Sequence, residues 1–449
     1  MAKKMRDFQF CRIRKHRIKF MKAITFLGTG RYAETTYHFG DKVASVTNLF
    51  PKVVCEFFSP TELLVLVTEK AKTMWFQELQ NQVAPLKIKV TPIDIPEGHQ
   101  VEDLWEIFAK LTEQLNENDN VIFDITHSFR TLPFLSFLAA SYLRVAKNVN
   151  IKGIFYGAFE ARIPQPPSDK PFQSNPTDKS PVFDLTPFLD LLSWTTATEQ
   201  FIKTGNAESI SDLIGRFGQT PTTKLDSLAE SINKIAVGLN TLRPLYVMEE
   251  SAKLKSKIKD AETEIKNSLP QLTPLLQKIE NDYSQFAVAS PKDKNKRTAI
   301  QRLSKQLKMV KWYEQRSRWI QALSLARESI VSLVCFLLKK DTLSDNDRTR
   351  VGKLIGKFYT NEKNIPYKQD WENALDESLR ESLHKFWGGK DNRTHFNLND
   401  SQPDLATLRN DVMHAGQVED SKPIEQTISE AKQILQEFKK VVGEILKSL

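Results

Sequence analysis

Cysteine is scarce in this chain: Cys11, Cys55 and Cys335 are the three in 449 residues. They are far apart and odd in number, so they form neither a disulfide framework nor a zinc spacing. A reducing, cytoplasmic setting is expected. Long apolar runs are missing too, none reaching the roughly 18 residues that a membrane span needs. No clustered metal-ligand motif is present, so no metal or other cofactor is expected. What remains is an ordinary globular composition, 40% hydrophobic and 27% charged, with a length that implies two or three domains.

The net charge of +9 is unevenly spread. Residues 1–20 carry Lys3, Lys4, Arg6, Arg12, Arg14, Lys15, Arg17 and Lys19 against Asp7, which leaves the rest nearly balanced. This leader has no apolar core of the kind a secretion signal requires. Two accounts stay open: a basic arm that touches nucleic acid, or a true start at Met21, where a strand opens directly.

From residue 21 the pattern alternates strands with helices. Ala23–Gly28, Leu63–Thr68, Lys87–Ile93, Val121–Ile125 and Ile151–Ala158 read as buried strands. Lys70 to about Val83, Val101–Leu115 and Phe129–Lys147 read as helices, the second with Leu104, Ile107, Phe108, Leu111 and Leu115 on one face. Such alternation implies a largely parallel sheet covered on both faces.

Two strand ends carry polar chemistry. Gly28-Thr29-Gly30-Arg31-Tyr32-Ala33 matches a loose dinucleotide fingerprint, which needs a helix to open at once. Instead Thr35–Phe39 and Val43–Thr47 flank Gly40-Asp41, a hairpin signal that argues against a nicotinamide enzyme. The second end is Asp124-Ile125-Thr126-His127-Ser128-Phe129-Arg130-Thr131-Leu132-Pro133. Alone, this loop reads as helix capping by Thr126 and Ser128 beside a solvated Arg130. Two such loops at the carboxyl ends of one sheet favour a phosphate-bearing ligand.

These residues, Phe26 through Gly30 with Tyr32, the hairpin, and Asp124 through Pro133, resemble the CARF domain, the CRISPR-associated Rossmann-like fold, over most of residues 21–160. The resemblance implies that paired domains bind cyclic oligoadenylate, the messenger of type III CRISPR complexes, across a homodimer axis. It implies ligand-binding roles for Gly28, Thr29, Gly30, Arg31, Thr126, His127, Ser128 and Arg130.

Residues 163–184 hold six prolines among Ser, Asn, Asp and Lys and read as a loop or linker. From Leu185 onward the signals are helical. Residues 185–300 read as a helical connector. Lys292–Arg318 is strongly basic, with Trp312, Tyr313 and Trp319 interleaved. Its lysines are candidate RNA contacts. Trp312 and Trp319, seven apart, are better read as one core-facing stripe. Trp319–Leu338 reads as a buried helix, and Ile424–Leu449 as an amphipathic one.

Three Arg/His pairs compete in this half: Arg380 with His384, Arg393 with His395, and Arg409 with His414. Spacing does not separate them. A resemblance does: Arg409-Asn410-x-x-x-His414 is similar to the R-x-x-x-x-H motif of HEPN ribonucleases, over roughly residues 300–449. It implies an α/β, mostly parallel Rossmann-like domain (21–162) followed by an all-α HEPN-like domain (301–449). It further implies a dimeric endoribonuclease for single-stranded RNA, switched on by cyclic oligoadenylate, with the tetra-adenylate as the expected ring. His414 would be the general acid/base. Arg409 would stabilise phosphoryl charge, and Asn410 would orient the phosphate or His414. Metal-independent cleavage would leave 2′,3′-cyclic phosphate and 5′-hydroxyl ends. Two competing classes remain. One is a ligand-responsive regulator binding nucleic acid through its basic helices. The other is an enzyme that degrades its own cyclic ligand through His127 or neighbouring hydroxyls.

Overall fold

The computed structural model describes residues 20–127, 131–164, 175–217, 224–268, 272–399, 402–413 and 422–448. The chain divides into two compact units between Ser193 and Trp194.

The first unit is built on eight strands: β1 (Met21–Leu27), β2 (Thr36–Phe39), β3 (Lys42–Val43), β4 (Glu62–Val67), β5 (Lys89–Asp94), β6 (Asn120–Asp124), β7 (Asn150–Gly157) and β8 (Lys179–Asp184). Their order in the sheet is β3-β2-β8-β7-β6-β1-β4-β5. The block β7-β6-β1-β4-β5 is parallel throughout, as the alternation implies. Beyond it the sheet becomes mixed, because β8 runs antiparallel to β7 and β3 antiparallel to β2. The central strands are buried on both faces. Ala23, Leu27, Leu63 and Val65 enter one core, and Ile24, Phe26, Leu64 and Leu66 the other. That is why they read as continuous apolar runs rather than alternating ones. Full burial of each large side chain contributes roughly 1.5–3 kcal/mol.

The helices are α1 (Phe50–Phe58), a continuous α2 made of Glu69–Ala71, a π-helical turn Lys72–Phe76 and Gln77–Val83, then α3 (Val101–Glu113) and α4 (Leu132–Ala146).

One expectation is corrected. Residues 179–184, which proline content assigns to a linker, form β8 inside the sheet. Pro181 has no N–H to give a ladder. It is tolerated because β8 changes neighbours there: Lys179–Pro181 pair with β2, and Val182–Asp184 with β7. The Pro181 carbonyl still accepts from the Ala158 N–H.

Helix α5 (Thr186–Thr204) spans the division. The second unit is helical in all its named elements: α6 (Glu208–Phe217), α7 (Lys224–Asn240), α8 (Pro244–Ser268), α9 (Thr273–Tyr283), α10 (Lys296–Gln315), α11 (Trp319–Leu337), α12 (Asp345–Lys357), α13 (Lys368–Ala374), α14 (Glu377–Trp387), α15 (Lys390–His395), α16 (Leu405–Met413) and α17 (Ile424–Ser448). One hydrophobic cluster runs from Trp194 to Ile445, with no break at residue 300. Helix α11 is, by length and composition, apolar enough to cross a membrane. Here it packs against α10, α12, α16 and α17, with Ala322, Ala326 and Val334 fully buried. Trp312 and Tyr313 are core residues and Trp319 packs against that core, but Trp312 lies in α10 and Trp319 opens α11, so the seven-residue spacing does not mark one helical stripe. Two arginines of the basic segment are also structural. Arg302 donates to the Pro291 and Asp293 carbonyls, and Arg316 to the Ile202 carbonyl.

Candidate ligand and catalytic sites

The parallel block places β1 between β4 and β6, so successive connections leave β1 in opposite directions. The crevice at the carboxyl ends of β1 and β6 is thus the topological switch point, where open α/β sheets bind ligands. The two polar loops singled out in the sequence meet there.

Tyr32 ties the first loop to itself. Its hydroxyl accepts from the Gly28 N–H at 2.9 Å and lies 3.1 Å from the Gly28 carbonyl, to which it donates. Burial pushes the phenol up to about 12, so it stays a donor. A Cβ on Gly28 would meet the His127 carbonyl at 3.2 Å and the Tyr32 hydroxyl at 3.3 Å. Glycine here lets the two loops approach. The Tyr32 ring lies 4.0 Å from the His127 ring and 4.9 Å from that of Trp75, centroid to centroid. The Trp75 indole N–H is buried without an acceptor among the described residues. Gly30 and Arg31 are exposed and Thr29 half-buried at this crevice.

The second loop is held from below by Asp124. One carboxylate oxygen accepts from the Thr25 hydroxyl at 2.6 Å and the other from the Thr126 N–H at 2.8 Å. Burial raises the Asp124 carboxyl to about 6, with those hydrogen bonds pulling it back in part. The Thr126 hydroxyl accepts from the Gly157 N–H at 2.8 Å. His127 Nε2 accepts from the Phe50 N–H at 3.0 Å. Helix α1 has no side-chain cap of its own, so His127 satisfies one of its orphan amides. Burial pushes the imidazole down to about 3. Two expected ligand contacts therefore have structural duties. His127 is neutral, with Nε2 engaged, which leaves it poorly suited to acid/base work. Tyr32, Trp75, Thr25 and Asp124 complete the site. Asp124 was visible as a lone carboxylate ending an apolar strand, whereas Trp75 carried no sequence signal.

In the second unit, Leu405 and Leu408 anchor α16 in the core. Arg409 is half-buried beside them. Its Nη1 donates to Asn410 Oδ1 at 3.2 Å, while its Nε is buried without a partner among the described residues. Asn410 is exposed. His414, like Ser128 and Arg130, lies outside the described residues.

The rival pairs are occupied elsewhere. His384 is fully buried: its Nδ1–H reaches the Ile355 carbonyl at 2.9 Å, so Nε2 accepts from the Trp371 indole at 3.0 Å. Burial lowers it to about 4. Arg380 donates to the Glu372 and Leu375 carbonyls. Arg393 pairs with buried Asp404 at 2.8 Å, and His395 stacks on Tyr359 at 3.8 Å. Among the described residues no group of three or more His, Cys, Asp or Glu side chains is placed to hold a metal ion.

Two family models match the chain. The model for the CARF domain of the CRISPR system endoribonuclease Csx1 matches residues 22–160. The model for the second domain of the CRISPR-associated protein MJ1674 matches residues 190–291. The CRISPR-associated protein MJ1674 of Methanocaldococcus jannaschii is 26% identical over 214 residues, 46% of this chain and 30% of that protein. The chain thus spans under a third of that relative's length. A solved structure, Enterococcus italicus Csm6 bound to cyclic hexa-2′-fluoro-hexa-dAMP, has a TM-score of 0.41 and 10% identity, covering 96% of this chain and 98% of that one. That likeness is too loose to transfer residues. The family matches and the relative support a CRISPR-associated ancillary protein with a CARF domain at its N-terminal end.

Proposed function

We propose that this chain is a metal-independent endoribonuclease for single-stranded RNA, activated by cyclic oligoadenylate in type III CRISPR defence. The observation that carries the reading is the switch-point crevice, where the Gly28–Arg31 loop meets Thr126 and His127 in the segment similar to a CARF domain. Thr29, Gly30 and Arg31 offer a hydroxyl, a backbone amide and a guanidinium to a phosphodiester ring. Cyclic tetra-adenylate is the activator we favour.

The working parts of the second unit are Arg409, Asn410 and His414. His414 removes the proton of a ribose 2′-hydroxyl, whose oxygen attacks the adjacent phosphorus. The new O2′–P bond closes a 2′,3′-cyclic phosphate. The P–O5′ bond breaks, and a proton delivered to that oxygen leaves a 5′-hydroxyl. Arg409 stabilises charge on the non-bridging oxygens. Its Nε has no partner among the described residues, and a phosphate oxygen would satisfy a donor whose burial otherwise costs about 1–3 kcal/mol. Activation requires the ligand to bind the active arrangement more tightly than the inactive one. The protein acts as a cytoplasmic homodimer, with the catalytic groove completed by a second copy.

The test is cleavage of a labelled single-stranded RNA in EDTA, with and without cyclic tetra-adenylate. Wild type should cleave only with ligand. Arg409→Ala and His414→Ala should each lose at least a hundredfold in rate, while Arg31→Ala should shift only the ligand concentration required. Cleavage that persists in His414→Ala would move catalysis elsewhere. No cleavage with any ring size would favour a nucleic-acid-binding regulator.

A further inference from the structure

The second unit contains a cavity of about 660 Å³ apart from the Arg409–Asn410 segment. It is walled by the α7–α8 turn, the start of α8, and faces of α10, α11 and α12. Two arginines, buried Arg302 and half-buried Arg348, set its frame. Arg302, 4% exposed, gives Nη1 to the Pro291 and Asp293 carbonyls and Nη2 to the Thr342 hydroxyl at 2.6 Å. Arg348 bonds the Ser332 hydroxyl, the Thr342 carbonyl and the Glu328 carboxylate. Both guanidinium groups are committed to protein partners, so they are fixed walls.

Two carboxylates on the lining are already paired, Glu249 with Lys253 and Glu328 with Arg327 and Arg348, and the Thr241 hydroxyl donates to the Val237 carbonyl. Gln306 is more than nine-tenths buried, lines the cavity, and its Oε1 has no hydrogen-bond partner among the described residues. Arg243 and Lys292 are exposed on the lining, and neither side chain forms an ion pair among the described residues. The Tyr246 ring is 39% exposed beside them, and most of the other walls are apolar. The fitting ligand has a flat, largely apolar body, an N–H donor for an amide oxygen, and a negative group for two unpaired cations. We propose that the cavity binds one nucleotide unit, a nucleoside phosphate with its base against Tyr246 and Gln306 and its phosphate against Arg243 and Lys292. A free mononucleotide and the end of an RNA strand share that chemistry.

Calorimetric titration of the full chain, with cyclic tetra-adenylate present in excess, tests this. The probes are AMP, adenosine and a 5′-phosphorylated 2′-O-methyl oligoadenylate, which cannot be cleaved. AMP should bind, and adenosine at least tenfold more weakly. The Arg243→Glu/Lys292→Glu double variant, at surface positions that keep the fold, should weaken AMP at least tenfold. Gln306→Leu should weaken it at least fivefold, and Arg31→Ala should not. Oligonucleotide binding with this same dependence, in the absence of AMP binding, would assign the cavity to a strand end. Failure of both probes to bind overturns the proposal. So does binding unchanged in the pocket variants, binding lost only in Arg31→Ala, or adenosine binding as well as AMP.

Discussion

Asp124 and His127, three residues apart, respond to pH in opposite senses. The buried Asp124 carboxyl takes up a proton below about 6 in the folded chain, but only near 4 when unfolded. Its contribution to stability is therefore gained as pH falls between those values. His127 is held down to about 3, whereas an unfolded histidine protonates near 6.5. Its contribution is lost as pH falls through that window. The two oppose each other between about pH 6 and pH 4. Asp124→Asn removes the favourable half, so the variant should lose roughly 3 kcal/mol more stability than wild type from neutral pH to about pH 4. Urea unfolding at both pH values measures this, and equal losses would refute the assignment. His384 makes a different prediction. Removing it leaves the Trp371 indole donor unsatisfied and opens a cavity, so His384→Ala should cost about 2–4 kcal/mol. Ligand-stimulated cleavage per folded molecule should stay within about twofold. Selective loss of activity without loss of stability would return His384 to the catalytic candidates.

Helix α16 carries Arg409 and Asn410, and one residue before it sets its position. Asp404 is buried, and its Oδ1 accepts from the Thr407 and Gly389 N–H groups. Its Oδ2 accepts from the Thr407 hydroxyl and Arg393. This cap, fixed by an ion pair to α15, decides where Arg409 stands. Gly388 adjoins it at φ +67°, and a Cβ there would lie 2.1 Å from Asp404 side-chain atoms, so no larger residue fits. Breaking a buried pair from one side costs about 3–5 kcal/mol. Arg393→Ala and Asp404→Ala should each destabilise the chain and lower cleavage, and their double-mutant cycle should show coupling above about 1 kcal/mol. Additive effects on the melting transition would count against the cap as a unit.

For the whole molecule the informative surface is on the first unit. Helices α3 and α4 leave Trp105, Phe134 and Val145 exposed at 68%, 69% and 89%, with Tyr142 half-exposed among them. Phe108 links Trp105 to Tyr142, at ring distances of 6.0 and 5.4 Å. Large exposed apolar side chains gathered on neighbouring helices mark interaction surfaces. A second copy covering it accords with the proposed dimer. Trp105→Glu combined with Tyr142→Glu should therefore shift the protein from dimer to monomer in sedimentation velocity, with little change in melting temperature. Ligand-stimulated cleavage should fall at least tenfold. A dimer that survives both changes would place the interface elsewhere.

The residue pattern by itself determined the parallel strand–helix alternation, the helical second half, the burial of Trp312, and the two loops at strand ends. Each of these is local: periodicity, turn residues and small polar groups act over a few positions. Tertiary structure alone decided the matters that depend on distant partners. β8 is a strand because β7 and β2 supply its hydrogen bonds, although its own sequence reads as proline-rich loop. Thr126 and His127 look free in the chain, yet their acceptors are taken by amides 31 and 77 residues away. The three Arg/His pairs look alike in sequence and differ in the fold. His384 is sealed between Ile355 and Trp371, and Arg393 is bound to Asp404, whereas Arg409 bonds only its neighbour Asn410 among the described residues. Chemical type is written residue by residue, but availability depends on which backbone and side-chain groups folding brings within hydrogen-bond reach.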